Sequence, residues 1–442
     1  MNDAESLAAD SPPSDRLTMP GYQPRVIEDQ IAEALARVGA VLIDGARACG
    51  KTWTARRFAR SEARIDDPAS QLLIETAPES LLAGDSPRLL DEWQMAPSLW
   101  NRVRRACDDR SRPGQFILTG SASPSDEITR HSGMGRIARI RMRPMSLYES
   151  GLSDGSASLQ SMFDGDAAAA VPRDNVSLVD VVDAICVGGW PANVGASAGP
   201  RGEAAGISGA IGDYINEAAR VEVAEAVGVR HQPEALLRLM RSVARNVATE
   251  ARLTGLAADA GGDSALASAT VRSYLSALER IFVVERQPAW SVELRSRASL
   301  RKSPKLHFVD PSLAASLLRA TPARLMADTP ALGSLFESLV VRDLRILSQG
   351  VGADVYHYRD NVGLEADAVI ERSDGAWIGV QAKLSPGRSA VDAAAASLLR
   401  LRDKVARRRD ADMAALLVVT STGAAYRRTD GVIVTPVTSL GP

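Results

Sequence analysis

Two α/β domains separated by a helical segment are predicted by three observations. A strand, glycine loop and helix run together in "AVLIDGARACGKTWTARRFA", and short apolar strands then alternate with helices as far as Glu149. Residues from about 175 to 325 read mostly as helices. From Gly333 the helical pattern "GSLFESLVVRDLRIL" leads into strands at "DVYHYRD", "EADAVIER" and "AWIGVQAK", and a helix and the strand "AALLVVT" follow.

The elements follow in order. Residues 1–20 are acidic and rich in Ser and Pro, which predicts a disordered start and not a signal peptide. Ile27, Ile31, Leu35 and Val38 fall on one helical face. The strands "SPRLLDEWQ" and "GQFILTGSAS" enclose the helical stretch "WNRVRRACDD", so a parallel sheet is expected over residues 21–150. Residues 151–174, rich in Ser, Gly, Asp and Ala, read as a linker or long loop. In the helical segment, Val271, Tyr274, Leu275 and Leu278 share an inner face, and an apolar strand follows them. Residues 326–442 form the second α/β domain.

Composition bounds the rest. The 442 residues suffice for two or three domains. Lys and Arg total 52 against 54 Asp and Glu, so net charge neither supports nor excludes a nucleic-acid partner. At 4% aromatic content, extended stacking platforms for single strands are not expected. Cys49, Cys107 and Cys186 stand far apart, and they and the four histidines show no zinc spacing. A reduced, cytoplasmic protein is expected. No run of about 18 apolar residues is present, so no membrane span is expected.

"GARACGKT" matches the phosphate-loop pattern at Gly45, Gly50, Lys51 and Thr52, and the strand before it and the helix after it supply the required context. Gly45, Ala46, Arg47, Ala48, Cys49, Gly50, Lys51, Thr52 and Trp53 are therefore the expected ATP-binding stretch. Lys51 is expected to reach the β- and γ-phosphates, and Thr52 to bind Mg²⁺. Asp91 and Glu92 end the next apolar strand. Asp91 is the second expected Mg²⁺ group, and Glu92 the residue that polarises the attacking water. Thr119 and Ser121 close a third strand, where a hydroxyl can sense the γ-phosphate. One of Arg136, Arg139, Arg141 and Arg143 is expected to serve as an arginine finger, in cis or from a neighbouring subunit, and Arg136 is the candidate chosen. Arg102–Arg105, Arg139–Arg143 and Arg407–Arg409 are candidate phosphate contacts.

The order "GARACGKT", "LLDEWQ", "FILTGSAS", "GRIARIRMRPMSLYE" resembles the compact AAA-type P-loop ATPases of bacteria and archaea that carry a fused, DUF4143-like C-terminal region of unknown function. "GGWP", "YLSALERIFVVERQPAW", "SPKLHFVDPSLAASLL" and "GSLFESLVVRDL" resemble that second region, and the resemblance spans about Gly21 to Thr435. It implies an AAA-like parallel sheet, a winged-helix-like segment around Leu253–Trp290 and a restriction-endonuclease-like α/β domain. In a winged helix, Arg272 and Arg280 would lie on the helix offered to DNA.

The nuclease-like pattern implied by the resemblance maps to Glu337 on a helix, Asp367 on a strand, and Gln381 with Lys383 on the next strand, with Glu365 on the same face as Asp367. Gln381 stands where the pattern has a glutamate, which lowers the expected affinity for Mg²⁺ and leaves cutting open. The expectation is an ATP- and Mg²⁺-dependent ATPase coupled to a nuclease-like domain that contacts nucleic acid, DNA favoured, with homo-oligomers possible. The alternative is a slow nucleotide-dependent switch or scaffold whose C-terminal domain binds a protein or DNA without cutting.

Overall fold

The computed structural model describes residues 21–122, 133–166, 176–197, 204–223, 232–261, 265–292, 303–406 and 412–442. The expected disordered start, residues 167–174 of the expected linker and Arg407–Arg409 lie outside them. The chain divides into two compact units, Met1–Met142 and Arg143–Pro442.

In the first unit, helix α1 (Glu28–Arg37) buries Ile31, Ala34 and Leu35, the face its periodicity marks. Five parallel strands follow: β1 (Ala40–Gly45), β2 (Ser61–Arg64), β3 (Arg88–Asp91), β4 (Phe116–Gly120) and β5 (Ile137–Met142), in the spatial order β2-β3-β4-β1-β5. Every residue of β1 and β4 is buried, which is why both read as unbroken apolar runs and not as alternation. Helix α2 (Lys51–Arg56) starts directly after the glycine loop, helix α3 (Pro68–Thr76) follows β2, and helix α4 (Leu99–Arg110) buries Leu99, Trp100, Val103 and Cys107. Trp93 and Trp100, 5.2 Å between ring centroids, join the core on the face that holds Leu42, Leu90 and Leu118. The turns after β1, β3 and β4 open at the same, C-terminal edge, where ligands of open parallel sheets bind.

In the second unit, three helices, Pro233–Arg245, Leu253–Ala260 and Ser268–Arg280, precede an antiparallel pair, β7 (Val284–Gln287) and β8 (Lys305–Phe308). Val271, Tyr274, Leu275 and Leu278 are buried together, as their spacing predicts. The long helix Thr329–Gly350 leads into a six-stranded mixed sheet. Its strands are β9 (Ala353–Arg359), β10 (Glu365–Arg372), β11 (Trp377–Lys383), β12 (Met413–Thr420), β13 (Tyr426–Arg427) and β14 (Ile433–Pro436), in the order β13-β14-β12-β11-β10-β9. β9, β10 and β11 run antiparallel. The helix Arg388–Ala406 then carries the chain over to β12, which lies parallel to β11. Trp290, Trp377, Leu398 and Val418 belong to the core between sheet and helix.

The stretch from 151 to 166 corrects the linker expectation. It contains strand β6 (Ala157–Ser158), paired with β15 (Leu440–Gly441) at the far end of the chain, and helix α5 (Leu159–Phe163). Ala157, Leu159, Met162 and Phe163 are buried. Ser, Gly and Asp dominate the local composition, but these few apolar side chains decide the packing.

"GGWP" is explained by packing. Gly189 donates its N–H to Asp310 at 2.9 Å and accepts from the Met145 N–H at 2.6 Å. A Cβ on Gly189 would sit 2.0 Å from the Met145 carbonyl oxygen, so no other residue fits without moving the backbone.

Candidate functional site

The turn from β1 to α2 is built by backbone conformation. Ala48 (φ 60°) and Gly50 (φ 105°) take left-handed angles, which Gly50 adopts at no steric cost. Gly45 is required for another reason: a Cβ there would lie 1.9 Å from the Met142 carbonyl oxygen of β5. Gly45→Ala is therefore expected to force β1 and β5 apart and to destabilise the first unit by about 1–3 kcal/mol, read as a lower urea midpoint. An unchanged midpoint would contradict this packing.

Lys51 is 4% exposed, and its ammonium donates to the carbonyls of Gly45 at 3.0 Å and Ala46 at 2.9 Å. Thr52 donates its hydroxyl to Asp91 Oδ1 at 2.8 Å. The fold thus brings a lysine and a threonine hydroxyl from the loop and a carboxylate from the end of β3 to one edge of the sheet. The residues fit a nucleotide triphosphate with a divalent ion. The amides around Ala48 and Gly50 line a turned loop, and Thr52 and Asp91 form an adjacent pair of oxygens. Cys49 is buried, and its carbonyl accepts from Arg25 Nη1 at 2.9 Å. Arg47 is exposed on the loop, and Trp53 is exposed on α2.

Glu92 follows Asp91 in a left-handed conformation (φ 56°), a strain seen at functional turns. Its carboxylate is held by the Gln94 side-chain amide and by the Ser121 hydroxyl, the latter at 3.2 Å. Thr119 is fully buried. Its hydroxyl donates to Asp91 at 2.5 Å and accepts from the Glu92 N–H at 3.2 Å. Its hydroxyl is thus engaged by both members of the acid pair.

Arg136 is not brought to this site. β5 runs parallel to β1, and the Arg136 carbonyl accepts from the N–H of Ala40, at the end of the sheet away from the loop. Its guanidinium pairs with Asp108 of α4 at 2.8 Å. A six-residue strand spans roughly 20 Å, so Arg136 cannot act in cis on this loop. Arg141 stands at the other end of β5, opposite Asp44, and binds it at 2.7 Å. Arg139 lies over the Trp100 ring, 5.2 Å from its centroid, and Arg143 binds Glu285 in the second unit at 3.0 Å.

Sequence reasoning missed Tyr22 and Arg25, which precede α1. Tyr22 lies 2.9 Å from the Thr54 hydroxyl and donates to Glu28 at 2.9 Å. The polar, aromatic "GYQPR" immediately before a helix is the only signal the sequence offered.

In the second unit the nuclease-like residues do converge. Antiparallel pairing runs as far as Ala368 with Val380, which brings Asp367 and Gln381, the next residues on the two strands, to the same end of the β10–β11 ladder. A bulge between Ala366 and Val369 distorts β10 at Asp367, as bulges do where a side chain is re-aimed. Asp367 accepts from the Ala382 N–H at 2.8 Å. A residue the sequence did not mark joins them: Lys305 of β8 binds Glu337 at 2.7 Å and Glu365 at 3.1 Å. Burial, with the charge of Asp367 beside it, pushes the Glu337 carboxyl up to about 8 against the pull of Lys305. Burial also raises Asp367, opposed by Lys305 and Lys383. Among the described residues, no group of three or more His, Cys, Asp and Glu side chains is arranged to hold a metal ion. No helix there is long and apolar enough to cross a membrane.

The fold and the loop define the first unit as a P-loop ATPase domain. Comparison with known families makes this specific. Residues 38–151 match an AAA domain, 179–324 a domain of unknown function (DUF8612), and 332–440 a domain of unknown function (DUF4143). The chain thus carries an AAA domain followed by DUF8612 and DUF4143 regions. Two uncharacterised relatives, Rv2008c of Mycobacterium tuberculosis and Mb2031c of Mycobacterium bovis, are each 25% identical over 368 residues, covering 82% of this chain and 74% of theirs. Among solved structures, the Walker-type ATPase PABY2304 of Pyrococcus abyssi aligns at TM-score 0.40 and 13% identity over 66% of this chain and 94% of its own. AMPPCP-bound DnaA from Aquifex aeolicus aligns at TM-score 0.30 and 14% identity over 61% and 92%. Both likenesses are slight.

Proposed function

We propose that the chain hydrolyses ATP with Mg²⁺ at the Lys51–Thr52–Asp91–Glu92 site, and that the turnover serves a nuclease-like C-terminal domain that binds nucleic acid, DNA in preference, without efficient cutting. The observation that carries the catalytic part is the 2.8 Å contact of Thr52 with Asp91 beside Glu92. Thr52 and Asp91 are the oxygens that would hold Mg²⁺, which when bound neutralises phosphate charge. Lys51 holds the phosphates by charge. Glu92 orients water and accepts its proton, and Thr119 fixes the backbone and carboxylate of the acid pair. Helix, antiparallel strands, helix and parallel strand from Thr329 to Thr420 support the nuclease-like reading. Three helices followed by β7 and β8 support a winged-helix-like segment, with Arg272 exposed on the third helix. An ion pair in the middle of the carboxylate cluster speaks against efficient cutting.

The hold of Gln94 and Ser121 on Glu92 favours a second reading, a slow nucleotide-dependent switch whose C-terminal domain binds a protein or DNA. Turnover of ATP by the full chain, with and without single- and double-stranded DNA, separates the two. A rate that rises with DNA and vanishes in Glu92→Gln supports the first. A slow rate indifferent to DNA, with assembly that changes with ATP, supports the switch.

A further inference from the structure

We propose that Lys305 is a built-in cation for the C-terminal carboxylate cluster, occupying the position a divalent metal would need, so that the cluster is closed to metal by design of the fold. The argument is independent of the ATPase reading and starts from where Lys305 lies. β8 brings it in from outside the sheet that carries Glu365 and Asp367 and the helix that carries Glu337. The side chain is 3% exposed, and its ammonium lies 2.7 Å from Glu337 Oε1 and 3.1 Å from Glu365 Oε1. A metal bound to the same two oxygens would stand about 2.0–2.6 Å from each, inside the volume the nitrogen fills. The two cations also repel each other at such a distance, so occupancy is exclusive.

The surroundings fit a single positive charge. Gln381, next to Asp367 at the end of the β10–β11 ladder, carries no charge where the nuclease-like pattern has an acid, so the cluster holds one negative charge fewer than that pattern, which suits a singly charged cation. The amide oxygen of Gln381 is buried without a hydrogen-bond partner. Lys305 is also locked in place. His307, two residues on and sharing its face of β8, lies 3.1 Å from Gln287, whose amide donates to the Asp367 carbonyl at 2.9 Å. His307 also lies 3.2 Å from Ser338 on the helix of Glu337. Strand, helix and sheet are thus tied together around the ammonium. A tethered cation needs no supply from solution and cannot activate a water as a divalent ion does, so the cluster serves to join elements.

The test is Mn²⁺ binding, read by electron paramagnetic resonance on the full chain without nucleotide. All variants carry Asp91→Asn, which removes the phosphate-loop oxygen pair from the count. The parent is expected to bind no Mn²⁺ at millimolar concentration. Lys305→Met, which keeps the length of the side chain and drops the charge, is expected to gain a site, and Lys305→Met with Asp367→Asn to lose it again. A parent that binds Mn²⁺ and loses it on Asp367→Asn overturns the proposal. So does a folded Lys305→Met chain that gains nothing. If Lys305→Met is unstable, Mn²⁺ must raise its melting temperature more than that of the parent, and failure of that rescue equally overturns it. The proposal shares the Lys305 ion pair with the reading of a domain that does not cut, but ATP turnover enters none of these measurements, so it can fail while the proposed ATPase function stands, and the reverse.

Discussion

Arg342→Met is expected to destabilise the second unit by about 3–5 kcal/mol, the cost of leaving buried carboxylates without their cation. Arg342 binds Asp310 at 2.8 Å and Asp343 at 2.7 Å, and all three side chains are at most 2% exposed. Each carboxylate also holds a distant backbone group: Asp310 accepts from Gly189, and Asp343 accepts from the Leu147 N–H at 3.0 Å. One guanidinium therefore stabilises two acids that between them anchor the loops at 147 and 189. Burial already pushes the Asp343 carboxyl up, opposed chiefly by Arg342, so removing the arginine drives the acid toward its neutral form or leaves it charged and unpaired. Arg342→Lys is expected to recover only part of the loss, because an ammonium cannot reproduce the fork that meets Asp343 through two nitrogens. Urea denaturation of the full chain, followed by tryptophan fluorescence, measures both variants. A midpoint for Arg342→Met equal to that of the parent would sink the account.

The same contrast between local and distant contacts decides what the sequence could reveal. The phosphate loop was legible because Gly45, Gly50, Lys51 and Thr52 lie within a few residues and their spacing is the site. Asp91 and Glu92 were legible because they end an apolar run that can only be a buried strand. Arg136 was misplaced for a related reason: spacing shows that arginines alternate along a strand, but not which end of that strand faces the loop. Only the parallel pairing of β5 with β1 sets Arg141 beside Asp44 and Arg136 beside Asp108. Lys305 was invisible to any local pattern. "SPKLHF" carries no motif of its own, and the lysine acquires its role only when β8 packs against a helix and a strand that come later in the chain. The stretch from 151 to 166 shows the limit of composition. It holds enough Gly, Ser and Asp to read as a linker, yet β6 finds its partner at Leu440–Gly441.

Glu92→Gln is expected to lower ATP turnover about 10²–10⁴-fold while leaving ATP binding nearly unchanged, since the substitution removes a proton acceptor and keeps the side chain's size. Asp91, not Glu92, receives the Thr52 hydroxyl, so the nucleotide-binding side of the site does not depend on the Glu92 charge. Lys51→Ala is the contrasting variant. It removes the amine that now spans the Gly45 and Ala46 carbonyls, and it is expected to weaken ATP binding itself. The two variants therefore divide the site by measurement: binding by fluorescence of a labelled nucleotide, turnover by phosphate release. Ser121→Ala sharpens the division. Ser121 donates to Glu92 and makes no hydrogen bond to Thr52 or Lys51, so loss of that hydrogen bond alters turnover and not affinity if Glu92 is the base. Should Glu92→Gln turn over ATP at the parent rate, Glu92 is not the water-activating group. The strain held at its backbone would then belong to the turn that positions Asp91.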